Sequence, residues 1–87
     1  MTVVYLLRCA DRSLYCGWTT DLDRRLAAHR AGRGSRYVAG RLPVTVAAAI
    51  PVPGRSAALR EEARIKRLSK ADKEDLARAA APAVTGP

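Results

Sequence analysis

Histidine and tryptophan each occur once in this chain and cysteine twice, and eight acidic residues stand against sixteen Lys and Arg. The shortage of thiols and imidazoles argues against a tetrahedral zinc site. Cys9 and Cys16 form no C-x-x-C pair, and His29 is the only imidazole. No apolar run approaches the roughly 20 residues that a helix needs to cross a bilayer, so no membrane partner is expected. Met1 leads into an apolar segment that ends at Arg8, too short for a secretory signal. The reading is a cytoplasmic protein with both thiols reduced. No segment repeats. At 87 residues there is room for one domain near the lower limit of a self-sufficient core. That domain is expected over 1–80, with a disordered Ala/Pro/Gly tail over 81–87.

What the chain does have is positive charge, a formal +8 with a pI near 10.5. So large an excess points to a polyanionic partner, most simply nucleic acid, although a soluble basic protein would have the same composition. Thirteen of the sixteen cations are arginines, whose planar fork of donors suits phosphate.

The order of elements follows from apolar patterning and turn chemistry. Residues 2–8 read as a buried strand, Ala10-Asp11-Arg12-Ser13 as a turn, and 14–19 as a second strand closing a hairpin. Thr20 or Asp21 caps a helix with Leu22 and Leu26 on its inner face, ending near Gly32 or Gly34. A flexible cationic loop follows over 32–37. Val44–Ile50 reads as a third strand closed by Pro51 and Pro53. Ser56 is expected to cap a second helix reaching about Leu68, and Ser69 or Lys70 to begin a third reaching about Ala80. The expected fold is α+β, in the order β-β-α-β-α-α, with a small three-stranded antiparallel sheet flanked by helices.

Several reactive side chains fall where these elements can bring them together. Tyr5 and Tyr15 lie on the two hairpin strands. Either alone is most simply packing. Gly17 permits close approach of a ligand or backbone, or marks a bulge. Arg25 and His29 lie one turn apart on the first helix, bordering its apolar stripe. Arg24 is read as an ordinary exposed neighbour. On the second helix Glu62 falls between Leu59 and Ile65, on the packed side. A carboxylate there is costly unless it is paired, with Arg25, Arg64 or Lys66, or holds a divalent cation.

Taken in order, Val3-Val4-Tyr5, Tyr15-Cys16-Gly17, Arg25, His29 and the helix Ala58–Lys66 with Glu62 resemble the GIY-YIG nucleases over residues 3–70. The size resembles that of the small stand-alone bacterial members. Val3 stands for the glycine of the first motif and Cys16 for the isoleucine of the second. Trp18 stands where some members carry a lysine that helps activate tyrosine, and His29 is expected to take that part.

The resemblance implies phosphodiester hydrolysis with one divalent metal, Mg2+ or Mn2+, held by Glu62. It makes Tyr5, Tyr15, Arg25, His29 and Glu62 the catalytic set, with Gly17 and Trp18 supporting. Arg33, Arg36, Tyr37 and Arg41 are candidate contacts to a nucleic-acid backbone, or else plain solvated loop. DNA is the expected substrate, RNA stays open, and a chain this short would read a DNA structure or depend on a targeting protein partner. A nucleic-acid-binding module with weak catalysis is the alternative.

Overall fold

β1 (Thr2–Arg8) is buried on both faces along Val3–Leu7, and the layers of the molecule follow from that. The computed structural model describes residues 1–81. β1 is the central strand of a three-stranded antiparallel sheet of order β2-β1-β3, with β2 at Leu14–Thr19 and β3 at Thr45–Val52. Successive side chains alternate across a strand. Val4 and Leu6 join Cys16, Ala48, Ala58, Ile65 and Ala77 in one core. Tyr5 and Leu7 join Cys9, Val38 and Val44 in a second, with Leu22 and Leu26 packed against it. The two thiols are free and buried, one in each core.

Four helices cover the sheet. α1 (Leu22–Arg30) and α2 (Arg36–Ala39) serve the Tyr5 side, and α3 (Arg55–Lys66) and α4 (Lys70–Ala79) the Leu6 side. The Asp21 side chain accepts from the Arg24 backbone N–H at 3.1 Å and caps α1. Gly32, at φ +79°, carries the chain out of α1 through the left-handed region, and its N–H donates to the His29 carbonyl. Ser69 caps α4 by accepting from Asp72 N–H at 3.1 Å. No helix among the described residues is long and apolar enough to cross a membrane.

The α+β class and the antiparallel sheet are as expected, with four local corrections. The cationic loop is shorter than the sequence implies, because Arg36 opens the single turn of α2, which seats a fully buried Val38. Four residues are too few for helical periodicity to register. Ser56 does not cap α3. Gly54 holds the cap position without a side-chain bond, Ser56 lies inside the first turn, and the helix stops at Lys66 rather than Leu68. β3 runs through Pro51, which an edge strand tolerates because one side of its backbone needs no donor. Finally, Leu59 is 45% exposed, so α3 is turned from the expected face. Ala58, Glu62 and Ile65, at i, i+4 and i+7, form the inward stripe. The expected tail lies outside the described residues apart from Ala81.

Candidate active site

Tyr5 is only 1% exposed and sits on the central strand, yet it is one of the residues that line an open cleft. The strand register explains how. The residue opposite Tyr5 on β2 is Gly17, and β2 is an edge of the sheet. A Cβ on Gly17 would lie 2.6 Å from the Tyr5 hydroxyl and 2.8 Å from Cζ. The phenol therefore fills the space that a side chain would occupy and emerges at the sheet edge. Gly17 is not a bulge, and it is also one of the residues lining the cleft. The ladder with β2 is regular there, and the one irregularity of β1 lies between Leu6 and Leu7, against β3.

The cleft, about 380 Å³, takes Tyr5, Tyr15 and Gly17 from the sheet, Arg25 from α1, Glu62 from α3, and Trp18 beside them. β2 makes this possible. Tyr15 leans to one side of the sheet and Trp18 packs against the core on the other, so the cleft straddles the edge strand and is reached from both layers. Trp18 thus has a packing role and one side-chain surface in the cleft.

Behind Tyr5 lies His29, 1% exposed, with Nε2 2.8 Å from the Tyr5 hydroxyl. Nδ1 has no hydrogen-bond partner among the described residues and faces Gly34, where any Cβ would collide with the ring. Gly34 therefore belongs to the site, although the sequence marks it only as a helix end. Burial pushes the Tyr5 phenol above its ordinary range, with Tyr15 adding to the shift and Arg25 opposing it. Burial also pulls the His29 imidazole below its usual value, reinforced by Arg25. At neutral pH the pair is a neutral phenol and a neutral imidazole sharing one hydrogen bond. Such a pair can hand a proton from one ring to the other.

Tyr15 meets His29 edge-on, with centroids 5.5 Å apart, and stacks on Tyr37 at 5.9 Å and 26°. The Arg41 guanidinium covers the Tyr37 ring at 3.7 Å from its centroid. Arg41 in turn donates at 2.9 Å to Asp11 and at 2.9 Å to the Tyr37 carbonyl. Tyr37 and Arg41 lie outside the cleft and are joined to it through Tyr15. Hydrogen bonds from Ser13, and then Arg41, hold the Asp11 carboxyl below the usual carboxylate range.

Arg25 is exposed and has no side-chain partner among the described residues. The Glu62 side chain is 22% exposed, with Lys66 Nζ at 3.6 Å as its ion-pair neighbour; Glu61 takes Arg64 instead. Among the described residues no group of three or more His, Cys, Asp or Glu converges on a metal position. A single half-buried carboxylate beside a polar cleft fits a hydrated hard cation that draws its remaining ligands from water and phosphate. It does not fit a caged structural metal. Arg33 lines an adjoining cleft, and Arg36 lies on the surface outside both.

Residues 1–75 match the family model described as the GIY-YIG catalytic domain. A UPF0213 protein of Vibrio cholerae is 53% identical over 74 residues, 84% of this chain and 73% of that protein. The UPF0213 protein YhbQ of Escherichia coli is 47% identical over 73 residues, again 84% of this chain and 73% of that protein. The solution NMR structure of the UPF0213 protein BH0048 from Bacillus halodurans aligns with a TM-score of 0.60 at 40% identity. That alignment covers 94% of this chain and 89% of the other.

Proposed function

The chain belongs to the GIY-YIG catalytic-domain family, a nuclease family, and on that premise we propose that it is a divalent-metal-dependent endonuclease hydrolysing phosphodiester bonds in DNA. The observation that carries the reading is the 2.8 Å hydrogen bond between Tyr5 and a buried His29, at the wall of a cleft that also holds Arg25 and Glu62. A surface that only bound nucleic acid would have no use for a dehydrated proton-transfer pair.

A phenol whose pKa is raised makes a poor free base, and this pair avoids the need for one. The attacking water gives its proton to the Tyr5 oxygen while Tyr5 gives its own to His29 Nε2, so no free tyrosinate forms. His29 thereby takes the part that a lysine at the Trp18 position plays in some members. Arg25 neutralises charge developing on the phosphoryl oxygens. Tyr15 completes the polar wall beside the phosphate. Glu62 would hold Mg2+ or Mn2+, which when bound supplies polarisation of the phosphate and charge relief at the leaving oxygen. Arg33 and Arg36 contact the backbone and give affinity without sequence information. Repair or recombination is the setting that such chemistry serves, with a protein partner supplying the targeting.

The test is cleavage of labelled duplex, branched and single-stranded DNA and of RNA, with Mg2+, Mn2+ or chelator. Cutting that needs metal and is lost in both Tyr5→Phe and Glu62→Gln supports the reading. Binding without cutting in any metal would make the protein a binding module of the same fold.

A further inference from the structure

The catalytic cleft continues into a second cleft of about 430 Å³ that runs along α1, and the two share Thr19, Thr20 and Arg25 as a common wall. Arg24 and Arg33 line this second space, Arg24 from the first turn of α1 and Arg33 from the segment just beyond it. Neither guanidinium has a hydrogen-bond or ion-pair partner among the described residues, whereas Arg8, Arg41, Arg64 and Arg78 each bind a carboxylate. The one acid in the trough, Asp21, already accepts the Arg24 backbone N–H as the helix cap. Two uncommitted forks and a shared Arg25 thus converge on a groove leading away from Tyr5.

A nucleic-acid strand carries a charge at every linkage, so a strand whose scissile phosphate lies beside Tyr5 and Arg25 must place a neighbouring phosphate next to that cleft. We infer that the trough between Arg24 and Arg33 is the subsite for that neighbouring, uncleaved phosphate, and that the strand tracks along α1 toward Gly34. Arg24 is then a substrate-binding residue and not the neutral neighbour that its helix position implied. The inference rests on the first cleft being the phosphodiester site, but it makes a separate claim about binding.

Two probes test it, both in chelator so that binding is read without metal-dependent cutting. The first is a fluorescein-labelled DNA oligonucleotide of mixed sequence, followed by anisotropy across a salt titration. Arg24→Ala/Arg33→Ala should flatten the plot of log affinity against log salt by roughly 0.7–0.9, the loss of one neutralised phosphate. Arg60→Ala/Arg67→Ala removes the same charge from exposed positions on α3 and at its C-terminal cap, and should leave the slope unchanged. The second probe compares thymidine 3′,5′-bisphosphate with thymidine 5′-phosphate by amide shift mapping. The second phosphate should tighten binding to the wild type roughly tenfold and to the double variant hardly at all.

An equal loss of slope in the two double variants, or a bisphosphate advantage that survives Arg24→Ala/Arg33→Ala, would overturn the subsite. A wild type that cuts DNA while showing either result keeps the nuclease reading and loses the track. One that never cuts yet shows the expected slope and bisphosphate effects keeps the track and loses the nuclease.

Discussion

Tyr5 depends on three residues that the chain supplies from distant positions: Gly17 opposite it, His29 behind it and Gly34 behind His29. Tyr5→Phe removes the proposed proton carrier and keeps the ring. Cleavage kcat should fall about 10²–10⁴-fold. Stability should fall by about 1–3 kcal/mol, the cost of leaving the buried His29 Nε2 without its partner, as read by urea denaturation. Gly17→Ala deletes none of the proposed catalytic groups, but its Cβ claims the space of the Tyr5 hydroxyl. An ångström of displacement there should cost about 10²-fold in kcat, with DNA affinity in chelator unchanged.

In the proposed relay the same pair would set the acid limb of the pH profile. The His29 pKa is depressed below its ordinary 6.5, so the unfolded chain takes up that proton first as pH falls. The contribution of His29 to stability is therefore complete above about 6.5 and is lost as pH falls through the folded-state pKa. The proposed relay needs the neutral ring to accept a proton. The midpoint of the acid limb should thus lie below pH 6.5, and an acid limb centred above pH 6.5 would remove His29 from the relay.

At the scale of elements, α2 makes a structural contribution that its length does not announce. Its single turn buries Val38 and presents Tyr37 to Tyr15, while Arg41 ties Tyr37 to the hairpin turn through Asp11. Tyr37 thereby props Tyr15, which in turn touches His29. Tyr37→Phe keeps the stack and should leave kcat within about twofold, because the aromatic contact, worth roughly 0.5–1.5 kcal/mol, is retained. Tyr37→Ala should lower kcat about tenfold while the KM for DNA changes little. If KM rose instead and kcat held, Tyr37 would be a substrate contact. The strands and the starts of α1 and α4 were legible because alternation and Asp21 and Ser69 announce them. α2 was not, and the facing of α3 was misread because two leucine-like spacings compete on its wheel. Leu59 and Ile65 suggest one stripe, Ala58 and Ile65 another, and only the sheet beneath selects the second.

For the molecule as a whole, two small cores on either side of one sheet must hold every site residue in register. Ile65 is fully buried against Val4, Leu6 and Ala58, one turn from Glu62. Ile65→Ala should cost about 2–5 kcal/mol in urea denaturation, a large share of what so small a domain has. Arg8 and Glu74 join β1 to α4 by a two-point ion pair at 2.5 Å, which fixes the far end of the same layer. Arg24, Arg25 and Arg33, by contrast, have no carboxylate partner among the described residues and line the two clefts beside α1.

The sequence by itself determined the α+β class, the hairpin, the starts of α1 and α4 to within one residue (Thr20 or Asp21, Ser69 or Lys70), the net charge of +8 and the identity of the reactive side chains. These follow from local rules, namely alternation, capping chemistry and composition. The tertiary structure decided what those rules cannot reach. It set Tyr5 across Gly17, closed Gly34 onto His29, engaged Arg41 with Asp11 and Tyr37, and left Arg24 and Arg33 facing a shared trough. Each of these depends on which residues from distant parts of the chain meet across strands and layers, and strand register and packing set that, not the propensity of any one segment.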